Sequence, residues 1–219
     1  LMATAPALGA PLQLRGRDFV ACEHQDGSWD FADTGGRLER LPPPALAGVV
    51  QVGNAATALA ALRALAPRLV LDRNAVERGL REVRLAGRFQ RVPSGTGFEW
   101  VLDVAHNPEA AAALAASLQR WPVRGRTLAV CGMLADKDVA GVLEALRDHV
   151  DRWFAASTDG ARGLGDVALA ARAVAAGIAM TAGGSVAGAM KSAAAEAREG
   201  DRIVVFGSFH TVGPALSCV

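Results

Sequence analysis

The sequence predicts an α/β protein with a mostly parallel β-sheet and helices on both of its faces. The prediction starts from four apolar runs, which lie at 100–105, 127–132, 152–156 and 202–207. These runs alternate with helical segments near 108–120, 138–149, 165–176 and 185–198. Short, continuous apolar strands separated by helices are typical of a parallel sheet that is buried on both sides. A further, weaker strand is expected near 178–181.

The amino-terminal part of the chain does not share this alternation. Residues 13–32 alternate between apolar and polar around Asp26–Gly27, which predicts a β-hairpin. Asn54 is expected to cap an alanine- and leucine-rich helix that Pro67 closes, and a second helix is expected over 74–83. A hairpin and two helices do not easily form a complete core, so this part is expected to be the tail of a larger domain.

Composition restricts the class of partner and the compartment. The 219 residues are 51% hydrophobic and 21% charged, with a net charge of +1 and scattered arginines. This balance predicts neither a nucleic-acid nor a membrane surface, and small molecules are the expected ligands. Three widely separated cysteines without metal-ligand spacing, and the absence of a signal-like start, predict a cytoplasmic protein.

Several common nucleotide and hydrolase motifs are missing from the sequence. Only Lys137 and Lys191 are lysines, and neither follows a glycine, so the chain has no GxxxxGK[ST] phosphate loop. The first strand-to-helix turn of the second half reads AHNP and not GxGxxG, which argues against a nicotinamide-dinucleotide site. No GxSxG elbow occurs either.

The segment DVAHNPEAA, residues 103–111, places polar chemistry at the carboxyl end of a predicted strand. Asp103 ends the apolar run, His106 follows it, and Asn107 and Pro108 suit the cap and the first position of a helix. Open α/β sheets bind ligands in such strand-to-helix crevices. The segment alone also allows a purely structural role for these side chains. In a similar way, Asp136 is expected to cap the next helix, which should begin near Lys137.

Five motifs in a fixed order carry a family resemblance: QVGNAATALAAL (51–62), LAGRFQ (85–90), DVAHNPEAA (103–111), GMLADKD (132–138) and VVFGSFHTVG (204–213). Together they resemble the carboxyl-terminal portion of folylpolyglutamate synthase, often bifunctional with dihydrofolate synthase, in the Mur ligase superfamily. The resemblance implies that residues 1–86 are the tail of the central ATP-binding domain, without its phosphate loop. Residues 87–219 would then form the whole Rossmann-like carboxyl-terminal domain, and Gly87 marks the boundary.

The resemblance also implies a reaction. In such ligases ATP phosphorylates a carboxylate of a folate or dihydropteroate substrate, and the amine of L-glutamate attacks the acyl phosphate. The implied partners are ATP, L-glutamate and the folate-type substrate, with Mg²⁺ bound by residues of the missing amino-terminal part. The implied enzyme is a monomer, and the chain on its own would be an inactive fragment.

Three residues are implied in nucleotide binding. Asn54 would hydrogen-bond the adenine, since an amide offers both a donor and an acceptor. Arg88 would bind ATP phosphates through its fixed, permanently charged fork. Asp103 would accept hydrogen bonds from the ribose hydroxyls. The structural alternatives are a helix cap for Asn54 and an ordinary surface arginine for Arg88.

Three further residues are implied in catalysis and in binding the amino acid. His106 would contact the nucleotide or the glutamate, or would order Asp103. Ser208 and His210, on the turn after the last strand, would contact the amino-acid substrate, although a structural role for the GSF segment is an equal alternative. A different class of function also stays open, namely a stand-alone nucleotide-binding or regulatory α/β domain derived from the same fold. A phosphate loop encoded upstream would decide for the ligase.

Overall fold

The computed structural model describes residues 2–66 and 68–219, which form two compact units. The amino-terminal unit comprises residues 2–46 and 50–84. The carboxyl-terminal unit comprises residues 47–49 and 85–219.

The amino-terminal unit is a small antiparallel sheet with helices. Its elements are α1 (Thr4–Ala7), β1 (Phe19–Glu23), β2 (Trp29–Asp33), β3 (Gly36–Leu41), α2 (Gln51–Ala64) and α3 (Arg73–Glu82). The predicted hairpin is formed by β1 and β2, and β3 pairs with β2 on its other side. β3 was not predicted. It contributes the fully buried Leu41 to a cluster with Trp29, Phe31 and Leu59, so the unit has a core of its own.

The carboxyl-terminal unit contains the predicted mostly parallel sheet. Its strands are β4 (Gln90–Pro93), β5 (Glu99–Asp103), β6 (Thr127–Cys131), β7 (Arg152–Ser157), β8 (Met180–Ser185) and β9 (Arg202–Phe206). Its helices are α4 (Pro108–Arg120), α5 (Val139–Leu146), α6 (Asp166–Ala175), α7 (Val186–Glu196) and α8 (Phe209–Leu216). The strand order is β4-β5-β9-β6-β7-β8, and only the edge strand β4 runs antiparallel to its neighbour. The predicted fold class is confirmed.

The helices cover both faces of this sheet, which explains why its strands are continuously apolar. Along β5, Val101 packs into a cluster with side chains of α4, α5 and α6. Its neighbours Trp100 and Leu102 pack into a second cluster with side chains of α7 and α8. Successive strand residues therefore face opposite helical layers, and both sets are buried.

The helix starts decide the predicted caps at Asn107 and Asn54. Asn107 caps α4 as predicted, because its side-chain oxygen accepts the Ala110 N–H at 2.8 Å. The predicted cap by Asn54 is wrong, since α2 already begins at Gln51 and has no side-chain cap. Pro67, expected to close that helix, lies outside the described residues.

The predicted cap by Asp136 is also wrong. Asp138 caps α5 instead, where its carboxylate accepts the Gly141 N–H at 2.9 Å. Leu134 first forms a β-bridge with Gly163, and the Ala135 N–H donates to the Arg162 carbonyl at 2.8 Å. This pairing delays the helix by two residues.

Candidate functional site

The carboxyl ends of β5 and β9 form the candidate site. These strands are neighbours, and Asp103 at the end of β5 lies opposite Phe206 at the end of β9. The chain leaves β5 toward α4 on one face of the sheet and leaves β9 toward α8 on the other face. Such a divergence opens a crevice between the two turns, which is where α/β sheets bind ligands.

Asp103 holds two neighbouring loops together at this crevice. Its Oδ2 accepts the Phe89 N–H, and its Oδ1 accepts the Ala105 N–H, both at 2.8 Å. Burial raises the pKa of Asp103, and the two backbone hydrogen bonds and the charge of Arg88 oppose that rise. A carboxylate offers about four acceptor positions, so the geometry leaves capacity for the hydroxyl groups of a ligand.

The loop that carries Arg88 lies directly against the turn after β5. Gly87 has φ of 69°, and a Cβ at this position would lie 2.9 Å from Val104 and 3.0 Å from Val212. The Val104 N–H donates to the Gly87 carbonyl at 3.0 Å. Only glycine allows both this conformation and this close approach.

Arg88 projects from that loop toward the start of α8. It is half-buried, and its guanidinium carbon lies 5.8 Å from the centroid of the Phe209 ring. Its charge acts on Asp103, yet the described part of the chain gives Arg88 no salt bridge. Its N–H groups are therefore available to an anionic ligand.

His106 follows Asp103 on the turn between β5 and α4. Its Nδ1 lies 2.9 Å from the Val104 carbonyl oxygen. A carbonyl oxygen can only accept a hydrogen bond, so Nδ1 carries the proton and the neutral ring has an acceptor at Nε2. The backbone thus fixes the tautomer of the half-buried imidazole.

Ser208 is buried at the N-cap position of α8, and its hydroxyl is oriented by a short relay. The Thr211 hydroxyl donates to the Gly132 carbonyl at 2.7 Å, so it can only accept from Ser208, whose Oγ lies 3.3 Å away. The lone pairs of Ser208 Oγ are consequently left to accept a hydrogen bond from a ligand. Gly207 makes this relay possible, because a Cβ there would lie 1.9 Å from the Gly132 oxygen.

His210 and Asn54 make no contact with Asp103, Arg88, His106 or Ser208 among the hydrogen bonds described above. His210 is exposed in the first turn of α8, whereas the sequence predicted a turn after the last strand at this position. Asn54 belongs to the amino-terminal unit, where it lines a largely apolar cleft of about 480 Å³ between α2 and α3. Its amide N–H donates to Gln51 Oε1 over a long 3.3 Å.

Two residues of the crevice were missed by the sequence analysis. Phe209, which contacts Arg88, and Thr211, which orients Ser208, both lie in the GSFHTV segment. The sequence signal for Phe209 was an aromatic residue directly after the Gly-Ser pair that follows the last strand. An aromatic side chain at the first position of a helix beyond the end of a strand does not have to enter the core.

The described residues contain neither a candidate metal cluster nor a candidate membrane-spanning helix. Within residues 2–66 and 68–219, no three His, Cys, Asp or Glu side chains come together in a way that could hold a metal ion. None of the helices in the described ranges is both long enough and apolar enough to cross a bilayer.

Comparison with known families assigns the carboxyl-terminal unit. The family model described as Mur ligase, glutamate ligase domain, matches residues 87–209, a span that includes Arg88, Asp103, His106 and Ser208. The chain belongs to the Mur ligase family. This confirms the family resemblance inferred from the five motifs. The crevice between β5 and β9 is therefore part of a Mur ligase carboxyl-terminal domain.

Relatives of this Mur ligase chain have consistent names. The dihydrofolate synthase/folylpolyglutamate synthase of Escherichia coli is 41% identical over 216 residues, which cover 96% of this chain and 47% of the relative. The structure of E. coli FolC in complex with DHPP and ADP superposes with a TM-score of 0.86 at 40% identity, covering 99% of this chain and 49% of that one.

A third relative was solved with more ligands. A bifunctional folylpolyglutamate synthase/dihydrofolate synthase with Mn, AMPPNP and L-glutamate bound superposes with a TM-score of 0.84 at 34% identity. The match covers 99% of this chain and 50% of that structure. The chain spans about half the length of these relatives.

Proposed function

We propose that the chain is the carboxyl-terminal half of an ATP-dependent amide ligase that joins L-glutamate to a folate or dihydropteroate substrate. The observation that carries the proposal is the crevice between β5 and β9. In a domain of the Mur ligase family, it brings together a guanidinium without a salt bridge, an imidazole acceptor and a hydroxyl acceptor. The names of the half-matched relatives support the same reaction.

Three residues are proposed for ATP. Arg88 binds phosphate oxygens through its in-plane N–H groups, which matches the fork geometry of a guanidinium to a phosphate. Asp103 accepts hydrogen bonds from the ribose hydroxyls with the capacity that Phe89 and Ala105 leave unused. Asn54 reads the adenine edge from the wall of the apolar cleft in the amino-terminal unit.

The other residues are proposed for the incoming amino acid. When the amine attacks the acyl phosphate, a C–N bond forms, the C–O bond to phosphate breaks and the nitrogen loses a proton. Ser208 Oγ and His106 Nε2 are both acceptors, so they can hold the amine and take part in removing that proton. His210 is proposed as an exposed donor to a glutamate carboxylate at the start of α8.

The divalent metal is proposed to be magnesium. Its protein ligands are proposed to lie in the preceding half of the ligase, as the family resemblance implies. Magnesium is usually held by one or two carboxylates together with substrate phosphates and waters. No step performed by the residues discussed above depends on direct contact with the ion.

The test uses the complete polypeptide encoded by the same gene, assayed for ATP-dependent incorporation of glutamate into dihydropteroate and tetrahydrofolate. His106→Gln and His106→Ala are compared with His106→Asn, which can keep a donor near Val104 but loses the outward acceptor. We expect all three to lower kcat, and Lys191→Ala on the exposed face of α7 to leave it unchanged.

The outcomes separate the ligase from the alternative. The isolated chain should not ligate, because it has no phosphate loop. Absence of ligation by the complete polypeptide with either substrate, together with tight ATP binding by the isolated chain at about 1 μM or below, would favour a stand-alone nucleotide-binding or regulatory domain.

A further inference from the structure

Phe209 is the exposed aromatic residue of the candidate crevice. It begins α8 directly after Ser208, and 62% of its surface is exposed. The other aromatic rings near the crevice are packed inside the carboxyl-terminal unit, where Phe89 contacts Trp121 and Phe206 contacts Trp153. Hydrophobic packing therefore does not explain why Phe209 lies where it does.

The guanidinium of Arg88 is the group that lies over this ring, 5.8 Å from its centroid. A cation within about 6 Å of a ring face is attracted by the ring quadrupole. The backbone on both sides of Arg88 is fixed, because Gly87 and Phe89 have φ of 69° and 46° and the Phe89 N–H is bound by Asp103. The long side chain beyond that backbone has no salt bridge among the described residues, so the Phe209 ring is what restrains its charged end.

A ring face restrains a guanidinium without using its hydrogen bonds. The N–H groups of arginine lie in the guanidinium plane, whereas a cation–π contact uses the charge above the ring. A carboxylate partner would instead occupy two N–H groups and neutralise the charge. The arrangement holds Arg88 in place and leaves its donors free for an anion.

We propose that Phe209 is a positioning residue that preorganises Arg88 for the phosphate groups of the nucleotide. The inference rests on the proposed function, because it takes the phosphate-binding role of Arg88 as its starting point. Phe209 itself touches neither the phosphates nor the reacting atoms in this proposal. Its contribution is to reduce the freedom that Arg88 would otherwise lose on binding.

The contact is tested first in the isolated chain, without any ligand, by NMR of the Arg88 Nε–H group. The resonance is assigned by its disappearance in Arg88→Lys. Phe209→Leu should remove the ring-current shift of this resonance, whereas Phe209→Tyr and Phe209→Trp should keep a shift. An unchanged Arg88 resonance in Phe209→Leu would overturn the proposal at once.

The functional consequence is tested in the complete polypeptide through kcat/KM for ATP. Phe209→Leu should lower it about two- to fivefold, the range expected for an exposed cation–π contact, and Phe209→Tyr or Phe209→Trp should restore it. Thermal unfolding should be similar in all of these variants, because the side chain is largely exposed. If Phe209 had only a structural role, the leucine variant and the aromatic variants would have similar kcat/KM values for ATP.

Arg88→Ala and the double variant Arg88→Ala/Phe209→Leu separate this proposal from the proposed function. If Arg88→Ala lowers kcat/KM for ATP and the double variant lowers it no further, the result supports positioning through Arg88. If Arg88→Ala impairs ATP use while Phe209→Leu acts additively, or raises only KM for glutamate, the positioning role is wrong and the phosphate role stands. If Arg88→Ala leaves ATP kinetics unchanged, the phosphate role itself is wrong and the positioning proposal fails with it.

Discussion

Replacing Asp103 tests whether its carboxylate holds the crevice together. Asp103→Ala removes both acceptors, so the N–H groups of Phe89 and Ala105 lose hydrogen bonds of 2.8 Å each. Hydrogen bonds to a charged group contribute roughly 1.5–3 kcal/mol each, and the lower end applies where water can replace the partner. We expect a loss of about 3 kcal/mol in the free energy of unfolding of the carboxyl-terminal unit.

Asp103→Asn should have a smaller effect, for two reasons. The asparagine side-chain oxygen can still accept one of the two N–H groups. Its amide is also neutral, so the variant avoids the cost of burying a charge, which is the cost that raises the pKa of Asp103. We expect a loss of roughly 1 kcal/mol, below that of one charged hydrogen bond. The raised pKa also means that Asp103 adds stability in acid and loses that contribution as pH rises through its folded pKa, a trend that Asp103→Asn should abolish.

Amide hydrogen exchange measures both effects residue by residue. In Asp103→Ala the exchange of Phe89 and Ala105 should accelerate about tenfold or more, since 1.4 kcal/mol corresponds to a factor of ten. Asp136→Ala is the matched control on the neighbouring loop, because its ion pairs with Lys137 and Arg162 are 4.0 and 3.7 Å long and exposed. Wild-type exchange at Phe89 and Ala105 in Asp103→Ala would refute the holding role.

Three further outcomes are expected. Gly207→Ala should destabilise the carboxyl-terminal unit by about 2–4 kcal/mol in chemical denaturation, because its Cβ would meet the Gly132 oxygen, whereas Gly213→Ala in α8 meets nothing and should be neutral or slightly stabilising. Val101→Ala should lower stability by about 1–3 kcal/mol through a cavity in the core, without changing nucleotide affinity. Hydrogen bonds from the Arg40 N–H, His24 and Arg37 hold the pKa of Asp30 well below its usual range. The amino-terminal unit should therefore lose stability as pH falls below about 4. Asp30→Asn should make stability less dependent on pH in this range, as measured by amide hydrogen exchange of β2.

The sequence pattern predicted strands according to their burial and not according to their hydrogen bonding. β6 and β9 are buried along their whole length, so their apolar runs located them within one residue at either end. β3 and β4 are edge strands, and β3 has only two apolar side chains, Leu38 and Leu41, which are separated by Glu39 and Arg40. A strand of that kind has too few apolar residues to stand out from a polar loop.

The candidate site could be located from the sequence, but its internal contacts could not. Asp103 was found because a polar residue follows a buried strand and precedes a capped helix, a local pattern. The hydrogen bond from Phe89 to Asp103 and the cation–π contact of Arg88 with Phe209 join different segments, and both involve the left-handed backbone at Gly87 and Phe89. Hydrophobic periodicity carries no information about such contacts.

The contacts of Asp103 change the choice between a structural and a functional role for this residue. Its carboxylate fixes the backbone next to Arg88 through Phe89 and the backbone next to His106 through Ala105. A ribose hydroxyl that bound to the remaining acceptor positions of Asp103 would therefore contact a carboxylate that also has a structural role. That carboxylate positions both Arg88, which is proposed to bind phosphate, and His106, which is proposed to act in catalysis. Amide hydrogen exchange at Phe89 and Ala105, measured with and without ATP in the complete polypeptide, separates the structural role of Asp103 from its role in binding. If the carboxylate that holds the two loops also contacts the nucleotide, we expect ATP to slow the exchange of these two amides further.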